Sequence, residues 1–280
     1  MPTARPFACV WGSPIGHSLS PVLHSAAYEV LGLSWDYLAQ EVDEQSLAEH
    51  WLARSPDLVG LSLTMPLKEA IVPLIEQRTP VVELLGVANT VTFREGQPAL
   101  ANTDPWGVHG ALADHTVEAK HAWILGAGAT ARAVGYGLHL GGTTSITLVA
   151  RSLERATPTL GVLEQMGLQV HLVDALDEAS LEQPELVVST LPGGAESPWE
   201  ISPAVVDSAA LLDVAYHPWP SQLALRWGGS PKPVISGVWM LVHQALMQIR
   251  LFHSGEMTTP VPHEEEVVRA MKRAVNLPAA

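Results

Sequence analysis

Short apolar runs alternate with amphipathic stretches along most of the chain, the pattern of an α/β protein. "FACVWG" (7–12) reads as a strand, and Pro21–Leu31 as a helix closed by Gly32. "WDYLAQEV" is a second strand, after which Asp43 is expected to cap a helix running through Arg54. "LVGLSL" is a third strand; a helix follows from Pro66, Thr79-Pro80 opens another that Gly86 stops, and "ANTVTF" returns as a strand. A second series starts near Ala122. "AWILG" is a strand, "AGATARAVGYGLHLGG" a helix with glycines at both ends, and "SITLVAR" a strand. After a further helix, "LQVHLV", "ELVVST" and "ALLDVA" are apolar enough to be buried parallel strands. Gly237–Phe252 is apolar on nearly all sides and reads as a buried helix. "HEEEVVRAMKRAV" then places glutamates in a first turn and lysine and arginines towards the last, matching the helix dipole.

At 280 residues and 47% hydrophobic, the chain can bury a large core and is expected to form two domains. No run approaches the roughly 20 apolar residues of a membrane span. "PFACVWG" is too short for a signal-peptide core. The single cysteine, Cys9, excludes an intrachain disulfide, fits a reducing cytoplasm, and lies in a strand as a core residue. A net charge of −14 argues against nucleic acid, because no basic stripe is present to follow a phosphate backbone. An anionic ligand would therefore need locally placed cations or helix N-termini. The twelve histidines are scattered, with no HExxH pair and no cysteine partners, so no metal site is expected.

Four segments carry candidate chemistry. In "GSPIGHSLSPVLH" (12–24), Ser20 and Pro21 form an N-cap and N1 pair, but Ser18 is not explained by capping, and Ser13 and His17 add donors. That density of hydroxyls suggests a pocket for a small polar anion. "ILGAGATARA" obeys the strand–GxGxxA–helix rule: Gly126 for the tight turn, Gly128 for approach of a pyrophosphate, Ala131 for close helix–strand packing. The next strand ends in Ala150, Arg151 and Ser152, with Arg155 one turn on, where a cofactor with a free ribose 2′-hydroxyl usually meets an acid. Arginine there favours a 2′-phosphate, hence NADP rather than NAD. Lys68 lies just inside a helix N-terminus, an unfavourable place for a cation, and Asn102-Thr103-Asp104 directly precede Pro105.

Taken with "LTMPLK", "GVANTV", "NTDPWG", "ARS", "DVAYHPWPSQL" and "GVWMLVHQA", in that order along the chain, these segments resemble the shikimate dehydrogenase family over nearly the whole length. The resemblance implies a substrate-binding, catalytic domain built from both chain ends, residues 1–104 and 237–280. It also implies an inserted Rossmann-like NADP-binding domain, residues 105–236. By resemblance, Ser18 and Ser20 hold the carboxylate of shikimate, and Thr64, Asn89, Asp104 and Gln244 surround its ring hydroxyls. Lys68 and Asp104 correspond to the catalytic pair, and Tyr216 and Gly237 line the substrate and nicotinamide ends of the cleft. Gly126, Gly128, Ala129, Thr130, Ala131, Arg151, Ser152, Arg155, Val214 and Gly237 fall to the cofactor. Gln244 shares a helix face with Gly237 and Leu241. Departures from the family are Ser62-Leu63-Thr64 for its frequent Asn-Val-Thr, Ala150 for an asparagine beside the cofactor arginine, and the bulky Pro105-Trp106.

The implied activity is NADP-dependent interconversion of 3-dehydroshikimate and shikimate, in chorismate and aromatic amino-acid biosynthesis. The expected partner is the small-molecule substrate, with no membrane or nucleic acid, and the protein is expected to be a cytoplasmic monomer or homodimer. An NAD-linked quinate/shikimate dehydrogenase and a dinucleotide-binding protein without turnover are the alternatives. Arg151 with the paired serines counts against the first, and Lys68 with Asp104 against the second.

Overall fold

In the computed structural model, which describes residues 5–178 and 180–278, the apolar run 7–12 forms β1 (Phe7–Gly12), buried along nearly its whole length. The chain then continues through α1 (Ser20–Leu31), β2 (Asp36–Glu41), α2 (Leu47–Leu52), β3 (Leu58–Leu63), and α3 (Leu67–Ala70) with a 3-10 turn at Val72–Leu74. β4 (Gln77–Arg78), α4 (Pro80–Leu85), β5 (Thr90–Arg94) and β6 (Gln97–Ala101) complete this stretch. Six strands form one mixed sheet in the order β2-β1-β3-β5-β6-β4, with β1 parallel to both β2 and β3, and β5 antiparallel to β3 and β6. Its core includes Cys9, Trp11, Leu61, Leu63, Leu67, Ile71, Val91 and Leu100. Cys9 is 2% exposed, and burial pushes its thiol up to about 11.

Two helix starts differ from expectation. α1 begins at Ser20 itself, with Leu19 in the N-cap position, while Ser18 Oγ accepts the Ser20 N–H at 3.3 Å. The Ser18 N–H is bound to the Ile15 carbonyl at 3.0 Å, a turn that sets the chain into the helix one residue early. Ser18 rather than Ser20 is thus the serine serving the helix start. α2 begins at Leu47, because Asp43 instead closes a turn, its Oδ1 accepting the N–H of Ser46 at 2.9 Å and its hydroxyl at 2.7 Å. α1 and α4 end as expected, at glycines Gly32 and Gly86 in the left-handed region.

The chain goes on with α5 (Asp104–Asp114), β7 (His121–Leu125), α6 (Ala129–Leu140), β8 (Ser145–Val149), α7 (Leu153–Gln165), β9 (Gln169–Val173) and β10 (Leu186–Ser189). After these come α8 (Pro203–Ser208), β11 (Ala210–Asp213), α9 (Gln222–Arg226), β12 (Val234–Ser236), α10 (Gly237–Ser254) and α11 (Glu264–Ala274). The strands of this stretch form a wholly parallel sheet, β12-β11-β10-β7-β8-β9. Two halves meeting at β7 and β10 give the doubly wound, dinucleotide-binding strand order. Alternation places Ala122 and Ile124 in the core beneath α5, α6 and α7, and Trp123 and Leu125 in the opposite one with Trp199, Leu223 and Trp227. Both faces are covered over β7, β8, β10 and β11, which is why these strands read as continuous apolar runs; β9, expected to be buried as well, is an edge strand in which no residue is fully buried.

The chain divides into two compact units: Met1–Thr103 with Gln244–Ala280, and Asp104–His243. The division after His243 differs from the boundary expected at Gly237, for a packing reason. A Cβ on Gly110 would lie 2.5 Å from the His243 ring, and His243 Nε2 is 2.8 Å from Asp114 Oδ2, so the first turns of α10 pack on α5. In the first unit α11 packs against α1, and Arg250 of α10 pairs with Glu264 at the start of α11, Nε to Oε2 at 2.7 Å. Among the described residues, no helix is long and apolar enough to cross a membrane.

Candidate functional site

In the first unit the candidates converge on the C-terminal ends of β1 and β3. Gly12 ends β1, and a Cβ there would lie 2.3 Å from Thr64 Cγ2, so the absent side chain lets the two strand ends close up. Backbone bonds fasten the junction: Thr64 N–H to Trp11 O at 3.0 Å and Ser13 N–H to Met65 O at 2.9 Å. The serine loop is anchored from β2 by Glu41, which accepts the Ser13 hydroxyl at 2.6 Å and the Ile15 N–H at 2.9 Å. Those bonds, the Ser13 hydroxyl foremost, hold the Glu41 carboxyl below the usual range. Ser13 therefore belongs to the loop's anchor. Ser18 is half-buried and Ser20 is 8% exposed.

Lys68 lies on α3, and its carbonyl accepts the Ala88 N–H at 2.9 Å, setting it beside the segment that carries Asn89. Asn89 is 2% exposed and makes more polar contacts than a packing residue needs. Its Oδ1 accepts from the Thr103 N–H at 2.8 Å and the Thr90 hydroxyl at 2.6 Å; its Nδ2 donates to Thr103 Oγ1 at 2.9 Å and Gln244 Oε1 at 3.3 Å. Asn89, Thr103 and Gln244 thus share one frame of hydrogen bonds within the first unit, with Lys68 held beside it through the Ala88 N–H. Asp104 follows Thr103 directly, opens α5, and is 4% exposed. It belongs to the second unit, as does Tyr216.

In the second unit the glycine turn stands at the switch point of the parallel sheet. Gly126 has φ +101°, and a Cβ on it would lie 2.5 Å from Thr190 Oγ1, at the end of β10. Gly128 is the N-cap of α6 without a side-chain cap, and a Cβ on it would meet nothing within 4 Å. Bare backbone therefore faces open space at the N-terminus of a twelve-residue helix whose next residues are Ala129 and Thr130, as a phosphate requires. Ala131 is fully buried against the sheet. Arg151 is exposed just past β8, and Ser152 caps α7 by accepting the Arg155 N–H at 3.3 Å. Val214 and Gly237 are in direct contact: a Cβ on Gly237 would lie 2.1 Å from the Val214 carbonyl oxygen. The residues present fit a dinucleotide carrying an additional phosphate.

Several residues that brace the candidate site by hydrogen bonds escaped sequence reasoning. Asp213, at the end of β11, accepts the Ser221 hydroxyl at 2.5 Å and the Ala215 N–H at 3.2 Å, fixing the loop that bears Tyr216. Burial pushes the Asp213 carboxyl up. In the first unit Tyr37 and Gln248 are hydrogen-bonded to Ser62, the position that departs from the family pattern, and His24 is bonded to Gln248. Gln248 was detectable only as a second amide one turn beyond Gln244.

The family model "Shikimate dehydrogenase substrate binding domain" matches residues 10–91. A shikimate dehydrogenase (NADP+) of Streptococcus pneumoniae is 32% identical over 264 residues, covering 90% of this chain and 93% of the relative. The crystal structure of Mycobacterium tuberculosis shikimate dehydrogenase superposes with a TM-score of 0.81 at 36% identity, covering 95% of this chain and 99% of that one. A Thermus thermophilus shikimate 5-dehydrogenase in complex with NADP(H) and shikimate gives 0.77 at 29% identity, covering 96% and 99%. With the serine loop, the Asn89 frame and the glycine turn in place along a matching length of sequence, the chain belongs to the shikimate dehydrogenase family.

Proposed function

We propose that the protein catalyses the reversible, NADP-dependent reduction of 3-dehydroshikimate to shikimate, in the biosynthesis of chorismate and the aromatic amino acids. The observation that carries this reading is the Asn89 frame, in which buried amides and hydroxyls are oriented beside Lys68. Ser18 and Ser20 donate to the substrate carboxylate, and Thr64, Asn89, Asp104 and Gln244 take the ring hydroxyls. Ser18 retains its hydroxyl hydrogen for this task, since its bond to the helix uses only its oxygen as acceptor. When bound, NADPH supplies the hydride to the ketone carbon. Lys68 supplies the proton to the ketone oxygen from Nζ, as an ammonium is a ready acid at neutral pH, and Asp104 is its partner in the catalytic pair. Gly126, Gly128, Ala129, Thr130 and Ala131 hold the pyrophosphate, Arg151, Ser152 and Arg155 the 2′-phosphate, and Val214 and Gly237 the nicotinamide end, with Tyr216 at the substrate end.

Steady-state assays with shikimate and quinate, each against NADP and NAD, test the reading. Shikimate with NADP is expected to give the highest kcat/KM, and Lys68→Ala to cut kcat by about 10²–10⁴ while leaving shikimate binding within about tenfold. A preference for quinate or NAD would favour the catabolic alternative. A folded wild-type protein that binds NADP without turnover would favour the binding protein.

A further inference from the structure

Gln248 is 1% exposed, lies one turn beyond Gln244 on α10, and has no part in the roles above. Its access to the sheet depends on Gly60. A Cβ on Gly60 would lie 2.3 Å from the Phe252 ring, so α10 settles on bare backbone of β3. Ser62 is two residues along that strand on the same face, and Gln248 is one turn before Phe252. The same contact that seats the ring brings the Gln248 amide over Ser62.

Its hydrogen bonds have only one consistent direction. Nε2 donates to the Asn89 carbonyl at 3.1 Å and to Thr90 Oγ1 at 3.0 Å, which uses both amide hydrogens. Oε1 accepts from Ser62 Oγ at 2.9 Å and from His24 Nε2 at 3.3 Å. This puts the imidazole hydrogen on Nε2 and leaves Nδ1 to accept from the Tyr28 hydroxyl at 3.2 Å. Ser62, having given its hydrogen to Gln248, accepts from the Tyr37 hydroxyl at 2.6 Å. On the other side Thr90 passes its hydrogen to Asn89 Oδ1 at 2.6 Å, so the Asn89 amide hydrogens must face Thr103 and Gln244. Every joint in this path is buried.

We propose that Gln248 is a positioning residue for substrate binding. Acting through Thr90, it directs a second hydrogen bond onto Asn89 Oδ1 beside that of the Thr103 N–H and so tightens the orientation of Asn89, which in turn orients the Gln244 amide. At its other end the same amide, accepting from Ser62, is backed by the Tyr37 hydroxyl. This rests on the reading of Asn89 and Gln244 as substrate ligands.

The test compares Gln248→Met, Thr90→Val and Thr90→Ser with the wild type, measuring kcat, KM for shikimate, KM for NADP and Tm. Gln248→Met and Thr90→Val are each expected to raise KM for shikimate about three- to tenfold, the effect of one lost hydrogen bond in an ordered site. kcat and KM for NADP should stay within about twofold. The double variant should be no worse than the poorer single one, because both cut the same link. Thr90→Ser, which restores the hydroxyl, should return KM to near the wild-type value. A lowered Tm with unchanged KM for shikimate in Gln248→Met, or in Thr90→Val should the first not fold, would overturn the proposal while leaving the activity intact. A wild-type protein that does not oxidise shikimate would overturn the parent reading, and this one with it.

Discussion

His24 makes a quantitative link between the buried hydrogen-bond chain and stability. The imidazole is fully buried, stacked on Tyr37 with ring centroids 4.0 Å apart, and accepts from one phenol while donating to Gln248. Burial lowers its pKa from 6.5 to about 3. The unfolded chain therefore takes up a proton at a pH where the folded one does not, and stability falls as pH drops below about 6.5, levelling off only near 3. For these two values the loss between pH 7 and pH 5 is about 2 kcal/mol, approaching the limiting slope of about 1.4 kcal/mol per pH unit. Urea denaturation at pH 5, 6 and 7, on the wild type and on His24→Gln, measures it. Glutamine keeps a neutral donor for Gln248 but has no proton to gain. Its absolute stability will be lower for lost packing, so the readout is the difference in pH slope. His121, in the other unit, also has a lowered pKa, chiefly by burial, and contributes a loss of the same sign. That contribution is common to both proteins and cancels, as do those of the carboxylates, and the neighbouring Tyr28 and Tyr37 stay neutral because burial raises both phenols. Equal slopes in the two proteins would refute the reasoning.

Two further predictions concern the cofactor. Gly237→Ala should lower Tm and raise KM for NADP, because the new Cβ would lie 2.1 Å from the Val214 carbonyl oxygen and must displace backbone, a strain of about 1–3 kcal/mol; thermal melts and NADP titration check this, and wild-type values for both would refute it. Arg151→Ala should raise KM for NADP about tenfold or more and leave NAD kinetics nearly unchanged, with the wild-type preference shrinking in salt. Equal losses with both cofactors would remove Arg151 from 2′-phosphate recognition.

What could be read from the chain alone was set by how local its cause is. β1, β3 and the central parallel strands were visible because burial on both faces leaves an uninterrupted apolar run, and α1 and α4 end where a glycine takes a left-handed φ. β4 and β6 were not visible, because Gln77–Arg78 is polar and exposed and is a strand only through pairing with Ala99 and Leu100. The start of α2 was misplaced because an aspartate that caps a helix and one that closes a turn look alike in sequence. In the site, the glycine turn and Arg151 announce themselves by position after a strand. The Asn89 frame does not, since its partners Thr103, Gln244 and Gln248 come together only by folding. Gln248 reads as an ordinary polar helix residue until Gly60 and Phe252 show how close the helix lies to the sheet.

The interior position of Cys9 has a practical consequence. A thiol 2% exposed with its pKa at about 11 offers almost no thiolate and no path to a reagent, so maleimides and disulfide exchange should leave the native protein unmodified. Since the chain has just this one cysteine, a second placed on the surface becomes the sole addressable attachment point. Fluorophores or spin labels can then be installed at chosen positions in either unit without first stripping the native sulfur from the first unit's core.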